Sequence, residues 1–245
     1  MRDRVDILGV GFDRVGLTAA AELIASRHAA GQRTFVITAN PEFIMLARRH
    51  QDLADLARAA DLVVADGTGV LVASRILGDP LPGRVPGRLL VDAVLGRLGR
   101  TGASVFFLGA GPGVAERAAA TAAKRFPGLR PVGAYAGSPD GGTDLAIATR
   151  IAQAAPRVLL VAYGMPSQER WIARNLSRLG SVRVAIGVGG VFDQLAGRVR
   201  LPPRLVHALG FEWLWRLVFE PRRWRRQRVL PVFVALVIRE RILRR

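Results

Sequence analysis

The chain has 245 residues, half of them apolar, enough for one full α/β domain with an appendage and short for two independent domains. Cysteine is absent, which excludes disulfides and thiol chemistry, and no uninterrupted apolar stretch reaches the roughly 20 residues of a membrane span. The net charge of +17 is carried almost wholly by arginine, since Lys124 is the one lysine, and it suits phosphates, nucleic acid or an anionic membrane face.

Met1-Arg2-Asp3-Arg4 leads into a short apolar strand, Val5 to Gly9, so no signal peptide is expected. A helix with an Ala-rich stripe is predicted over Leu17–Ala30, then a strand over Thr34–Thr38. Asn40 suits a helix N-cap, Pro41 the first helical position and Glu42 the positive helix end, and this helix is predicted to run to about Ala60. Strand Leu62–Ala65 ends in Asp66-Gly67-Thr68-Gly69, which opens another helical pattern. A Pro/Gly-rich loop from Leu77 to Gly87 precedes a helix near Leu89–Leu98. A second series follows: strand Ser104–Leu108, helix Val114–Phe126, strand Leu129–Tyr135, helix Asp144–Ala154, strand Val158–Ala162, helix Ser167–Leu179 and strand Val182–Val188. Alternation of this kind predicts an α/β fold, a mostly parallel, doubly wound, Rossmann-like sheet flanked by helices. Residues 1–200 are read as the catalytic domain, and 201–245 as a helical appendage that begins after the break at Pro202-Pro203. In it Trp213, Trp215, Phe219 and Trp224 interleave with arginines. From Phe211 to Arg245, ten arginines stand against three glutamates, an excess of seven positive charges in 35 residues.

In a parallel sheet, the runs after strands 34–38 and 62–65 emerge at one edge, where such folds bind ligands. That brings Thr38, Asn40 and Asp66 to a common crevice, with Asp66 as the natural general base. Each also has a plain structural explanation: Asp66 as a helix-capping turn residue, Thr38 as a strand end, Asn40 as an N-cap. Gly109-Ala110-Gly111-Pro112-Gly113 after the predicted strand Ser104–Leu108 looks like a phosphate-approaching loop, with Gly109 and Gly111 as contact points. The next strand ends without an acid for a ribose hydroxyl, so a nicotinamide site is disfavoured. Tyr163-Gly164-Met165-Pro166-Ser167-Gln168-Glu169-Arg170 and Gly187-Val188-Gly189-Gly190-Val191-Phe192-Asp193 are two further polar strand ends, in which Glu169 and Arg170 can serve the helix alone. His28, His50 and His207 lie far apart and near no acid cluster, so no metal or cofactor is expected.

Taken in order, these runs resemble the WecG/TagA/CpsF family of bacterial glycosyltransferases, glycosyltransferase family 26. The matching segments are 38–42, 65–69, 81–87, 107–113, 164–169 and 187–193, with Phe211-Glu212-Trp213-Leu214-Trp215-Arg216 and Glu220-Pro221-Arg222-Arg223. The resemblance implies transfer of an N-acetylmannosamine-type sugar from a UDP donor to an undecaprenyl-diphosphate-linked saccharide at the cytoplasmic face of the membrane. It implies Asp66 as catalytic base with Thr38 beside it, Arg84 and Gln168 in activity, and Asn40 and Asp193 in the pocket. Gly67, Gly109, Gly111, Arg216, Arg222 and Arg223 are carried as substrate-binding positions. Near Tyr135-Ala136-Gly137-Ser138-Pro139 many members carry an aromatic-rich run, and here Tyr135 alone is aromatic.

An inverting transfer needs a base, a counter-charge for the departing diphosphate and a hold on both substrates. Asp66 serves the first. Without a metal motif, Arg84, the appendage arginines or helix-start N–H groups serve the second. The appendage is expected to bind an anionic membrane surface, and a homo-oligomer is left open. A nucleic-acid-binding module fits the charge but lacks a recognised motif, and a Rossmann methyltransferase or dehydrogenase rests on the glycine loop alone.

Overall fold

The computed structural model describes residues 3–199, 203, 215 and 228–244. Six strands form one parallel sheet in the order β4-β3-β8-β7-β5-β6. They are β3 (Thr34–Ala39), β4 (Leu62–Ala65), β5 (Ser104–Gly109), β6 (Arg130–Tyr135), β7 (Val158–Ala162) and β8 (Val184–Gly187). β4, β5, β7 and β8 are buried along their whole length, as expected of strands covered on both faces. Alternate residues serve different cores. Phe35, Ile37 and Ala39 of β3 point into one, Val36 into the other.

The first core lies under α2 (Pro41–Ala47), α3 (Gln51–Ala59), α4 (Thr68–Ile76), α7 (Asp144–Ala154) and α8 (Ser167–Asn175). The second lies under α1 (Leu17–Ala29), α5 (Gly87–Gly99), α6 (Val114–Arg125) and α9 (Val191–Leu195). The doubly wound α/β expectation therefore holds.

Two elements differ from the sequence reading. Val5 to Gly9 is not a strand of the parallel sheet. β1 (Arg4–Ile7) and β2 (Val10–Asp13) form a separate antiparallel hairpin. Its two turn residues, Leu8 (φ 53°) and Gly9 (φ 89°), both lie in the left-handed region that a tight hairpin turn requires. Leucine there disguises the turn, because Asn or Asp ordinarily marks it. The hairpin caps the sheet edge: Asp13 Oδ2 accepts from the Val63 amide at 2.7 Å, and Arg4 bonds Asp13 Oδ1 at 3.1 Å and the Ala60 carbonyl at 2.8 Å. Backbone groups of the edge strand β4 are thus occupied and not left to pair with another chain.

The second difference is the helix predicted from Asn40 to Ala60, which is two helices broken at His50, an extended residue (φ −128°, ψ 102°). His50 caps α3, whose buried Leu53 and Ala57 face the same core as Phe43, Ile44 and Ala47 of α2. The strand read as Val182–Val188 is shorter, Val184–Gly187, and the helix read to Leu179 ends at Asn175, a 3-10 turn following.

Of the appendage, α10 (Val229–Leu243) lies against α2 and α4, with Phe233 and Val237 buried in the first core. Arg241 donates to the Leu77 carbonyl at 3.3 Å. Arg216, Arg222 and Arg223 lie outside the described residues. Among the described residues no helix is long and apolar enough to cross a membrane.

Candidate active site

A cavity of about 800 Å³, its open mouth included, sits over the carboxyl ends of β4, β3, β8 and β7. This is the edge where parallel α/β sheets hold ligands. Its wall is built from Thr38, Asn40 and Glu42 after β3, Asp66 after β4, and Pro86 to Arg88 at the start of α5. Gly164, Met165 and Gln168 after β7 and Val188 to Val191 with Gln194 after β8 complete it.

The two strand-end runs meet because β3 and β4 are paired neighbours, Ala39 opposite Ala65, and the Asp66 amide donates to the Ala39 carbonyl at 2.8 Å. Close packing then locks their helices. A Cβ on Gly69 would stand 2.8 Å from Pro41 Cγ, so only glycine lets α4 come this near α2. Asn40 is the N-cap of α2, its Oδ1 accepting from the Phe43 amide at 2.9 Å. Its amide nitrogen is therefore the group it can offer a ligand.

The Pro/Gly-rich loop brings a third wall. Leu81 N–H donates to the buried Ser74 hydroxyl at 3.1 Å, and Val85 N–H donates to the Ala65 carbonyl at 2.7 Å. The chain leaves Pro86 straight into α5. The Cβ position of Gly87, the first residue of that helix, lies 3.5 Å from Thr38 Oγ1 and 3.6 Å from Asp66 Oδ2. A hydroxyl and a carboxylate thus converge on one helix start, whose N–H groups and dipole favour negative charge. The N-cap of α4 is Gly67, the residue after Asp66.

Gln168 and Glu169 open α8. Gln168 Oε1 accepts from the Gly189 amide at 2.9 Å, and its Nε2 donates to Glu169 Oε1 at 2.8 Å. Glu169 is 1% exposed, and burial pushes its carboxyl up to about 7, against smaller opposing effects from Gln168 and Arg170. Arg88, the one arginine of the described lining, donates to Asp92 Oδ2 at 3.5 Å, and the same oxygen accepts from Arg125 at 2.8 Å.

Thr38, Asn40, Asp66 and Gln168 therefore line one cavity, as expected from sequence. Arg84 is half-buried on the loop before α5, outside that lining. Gly67 and Asp193 adjoin lining residues in the chain without lining it themselves. Gly109 and Gly111 lie at the end of β5 and in its turn, away from the lining. A Cβ on Gly109 would meet the Ala162 backbone at 2.8 Å, so strand packing alone demands a glycine there. Sequence reasoning missed Glu42, Arg88 and Gln194 as wall residues. Glu42 had been accounted for as a helix-start charge, and Arg88 and Gln194 lay inside helices with no motif of their own. Among the described residues no group of three or more His, Asp or Glu is placed to hold a metal ion.

Residues 5–245 match the family model described as Glycosyl transferase WecG/TagA/CpsF family. The N-acetylglucosaminyldiphosphoundecaprenol N-acetyl-beta-D-mannosaminyltransferase of Staphylococcus aureus (strain MRSA252) is 34% identical over 233 residues, which cover 94% of this chain and 91% of that protein. The protein of the same description from strain NCTC 8325 / PS 47 gives the same identity and coverage.

Proposed function

The chain belongs to the glycosyl transferase WecG/TagA/CpsF family and is a glycosyltransferase, and we propose that it moves an N-acetylmannosamine-type sugar from a UDP donor onto an undecaprenyl-diphosphate-linked N-acetylglucosamine. The observation that carries this reading is the convergence of Asp66 Oδ2 and Thr38 Oγ1 on the start of α5, in an open cavity at the carboxyl ends of the strands. The names of the relatives supply the sugar and the acceptor.

In this mechanism Asp66 takes the proton of the acceptor hydroxyl as the hydroxyl oxygen bonds to the sugar's anomeric carbon from the face opposite the leaving group. The bond between that carbon and the diphosphate oxygen breaks, its electron pair leaves with UDP, and the anomeric configuration inverts. Thr38, bonded to the Gly187 carbonyl at 3.4 Å, orients its hydroxyl beside the carboxylate. Asn40 and Gln168 offer carboxamides to the substrates, and Gly67 and Asp193 adjoin lining residues in the chain. Gly109 and Gly111 contribute the turn behind.

The departing diphosphate is countered by helix-start N–H groups of α5 and α8, by Arg88 and Arg84, and by Arg216, Arg222 and Arg223 of the appendage. This scheme uses no metal, so chelation should leave turnover unchanged. Asp66→Asn tests the base directly: turnover, read as UDP release, should fall by about a hundredfold or more, while UDP still raises the melting temperature. Near-normal turnover in that variant would require another base.

The appendage is assigned to the membrane that carries the acceptor. Val232, Val234, Ile238 and Ile242 of α10 are exposed beside Arg239, an apolar and basic face suited to an anionic lipid surface. Residues 1–200 would then carry the chemistry and 201–245 the attachment, at the cytoplasmic face. No observation favours a nucleic-acid ligand, and the glycine loop lies outside the cavity lining, which removes the ground for a dinucleotide or methyl-donor site.

A further inference from the structure

Gln168 is 4% and Glu169 1% exposed, yet of the two only Gln168 lines the cavity. A carboxamide presents oxygen at one end and nitrogen at the other, and its neighbours decide which way it faces. Gly189 presents a backbone N–H at 2.9 Å, so the oxygen faces it; Glu169 presents Oε1 at 2.8 Å, so the nitrogen faces that. The carboxamide lies across Gly187, where a Cβ would stand 2.7 Å from Nε2 and 3.0 Å from Cδ. The Gly187 carbonyl in turn accepts from the Thr38 hydroxyl.

Glu169 Oε2 has no hydrogen-bond partner, so this carboxyl is buried at a cost. An acid placed there only to complement the helix start would serve as well from the surface.

We propose that Glu169 is a positioning residue for sugar transfer: it holds the Gln168 carboxamide in one orientation and, through it, ties Gly189 and the β8–α9 loop to the cavity wall. The inference rests on reading the cavity as the transfer site. Without the Glu169 acceptor the carboxamide loses what selects its orientation. Turned over, its nitrogen would meet the Gly189 N–H, two donors face to face, and the loop would lose its tether.

Two measurements on the full-length protein test this, one of them independent of turnover. In hydrogen exchange, Glu169→Ala should speed exchange of the Gly187 to Gly190 amides about tenfold. Gln168→Ala should do the same with Glu169 intact, so a poorly folding Glu169→Ala does not block the test. Glu169→Gln keeps an acceptor oxygen and should restore slow exchange. In UDP-release kinetics, Glu169→Ala should lower kcat about tenfold with a smaller change in the donor KM, and should add nothing to Gln168→Ala. Unchanged loop exchange in both alanine variants, or kinetic effects that multiply in the double variant, would overturn the proposal. Failure of the wild-type protein to release UDP would sink the transfer reading instead, and the exchange result would still decide the role of Glu169.

Discussion

Burial of Glu169 makes the stability of this protein depend on pH in a calculable way, and Glu169→Gln exposes it. In the unfolded chain the carboxyl titrates near 4.5, and in the fold burial raises it to about 7. Between those values the native state holds a proton that the unfolded chain has released, so stability falls as pH rises. The contribution is fully present below pH 4.5 and lost as pH climbs through 7. The gap corresponds to about 3 kcal/mol in total at about 1.4 kcal/mol per pH unit, of which about 2.5 kcal/mol falls between pH 5 and pH 8.

Glutamine keeps the acceptor for Gln168 but has no proton to lose. The variant should therefore gain on the wild type by that amount across the same interval. For a chain of this size this is a relative rise in melting temperature of about 5–10 °C. Thermal melts of the two proteins at pH 5, 6, 7 and 8 would measure it, and the subtraction cancels every other titrating group. Parallel curves for wild type and Glu169→Gln would refute the reasoning, because they would mean that the carboxyl ionises as easily in the fold as outside it.

Three further outcomes follow from the packing. Gly69→Ala places a methyl 2.8 Å from Pro41 Cγ, which should cost about 1–3 kcal/mol in a denaturant melt and slow UDP release by prising apart the runs that carry Asn40 and Asp66. Phe233→Ala empties a buried position under α10 and should cost about 3 kcal/mol, detected as a lower urea midpoint at unchanged m-value. The double variant Val234→Asp with Ile238→Asp alters only exposed side chains. It should melt like the wild type yet sediment less with anionic liposomes, and undiminished binding would remove α10 from the membrane surface.

The candidate site was legible in part because strand ends in an alternating α/β chain have a fixed geometric destiny. Thr38, Asn40 and Asp66 follow apolar β-branched runs that pair side by side in parallel, so their convergence needed no knowledge of distant residues. Asn40 as N-cap was equally local, since capping involves residues three apart. Arg88 and Gln194 were not legible. Each sits inside a helix whose start faces the cavity, and that orientation depends on where the loop before α5 and the strand β8 are anchored. Glu169 looked like an ordinary helix-start acid. Its burial and its grip on Gln168 depend on β8 lying beside β7, a pairing of strands separated by a whole helix.

The sequence alone determined the reaction class and the fold class. Alternating apolar runs at helical and strand spacing admit few architectures, and the chain matches its family over residues 5–245. Tertiary structure decided what no local pattern encodes. The first apolar run became an edge-capping hairpin instead of a strand of the parallel sheet, because Asp13 and Arg4 find partners on β4 and α3. The helix after Asn40 broke at His50, whose extended backbone ends one helix and caps the next. The same long-range packing brought Asp66 and Thr38 to the start of α5, where a carboxylate that could have been a turn residue stands beside a hydroxyl in an open cavity.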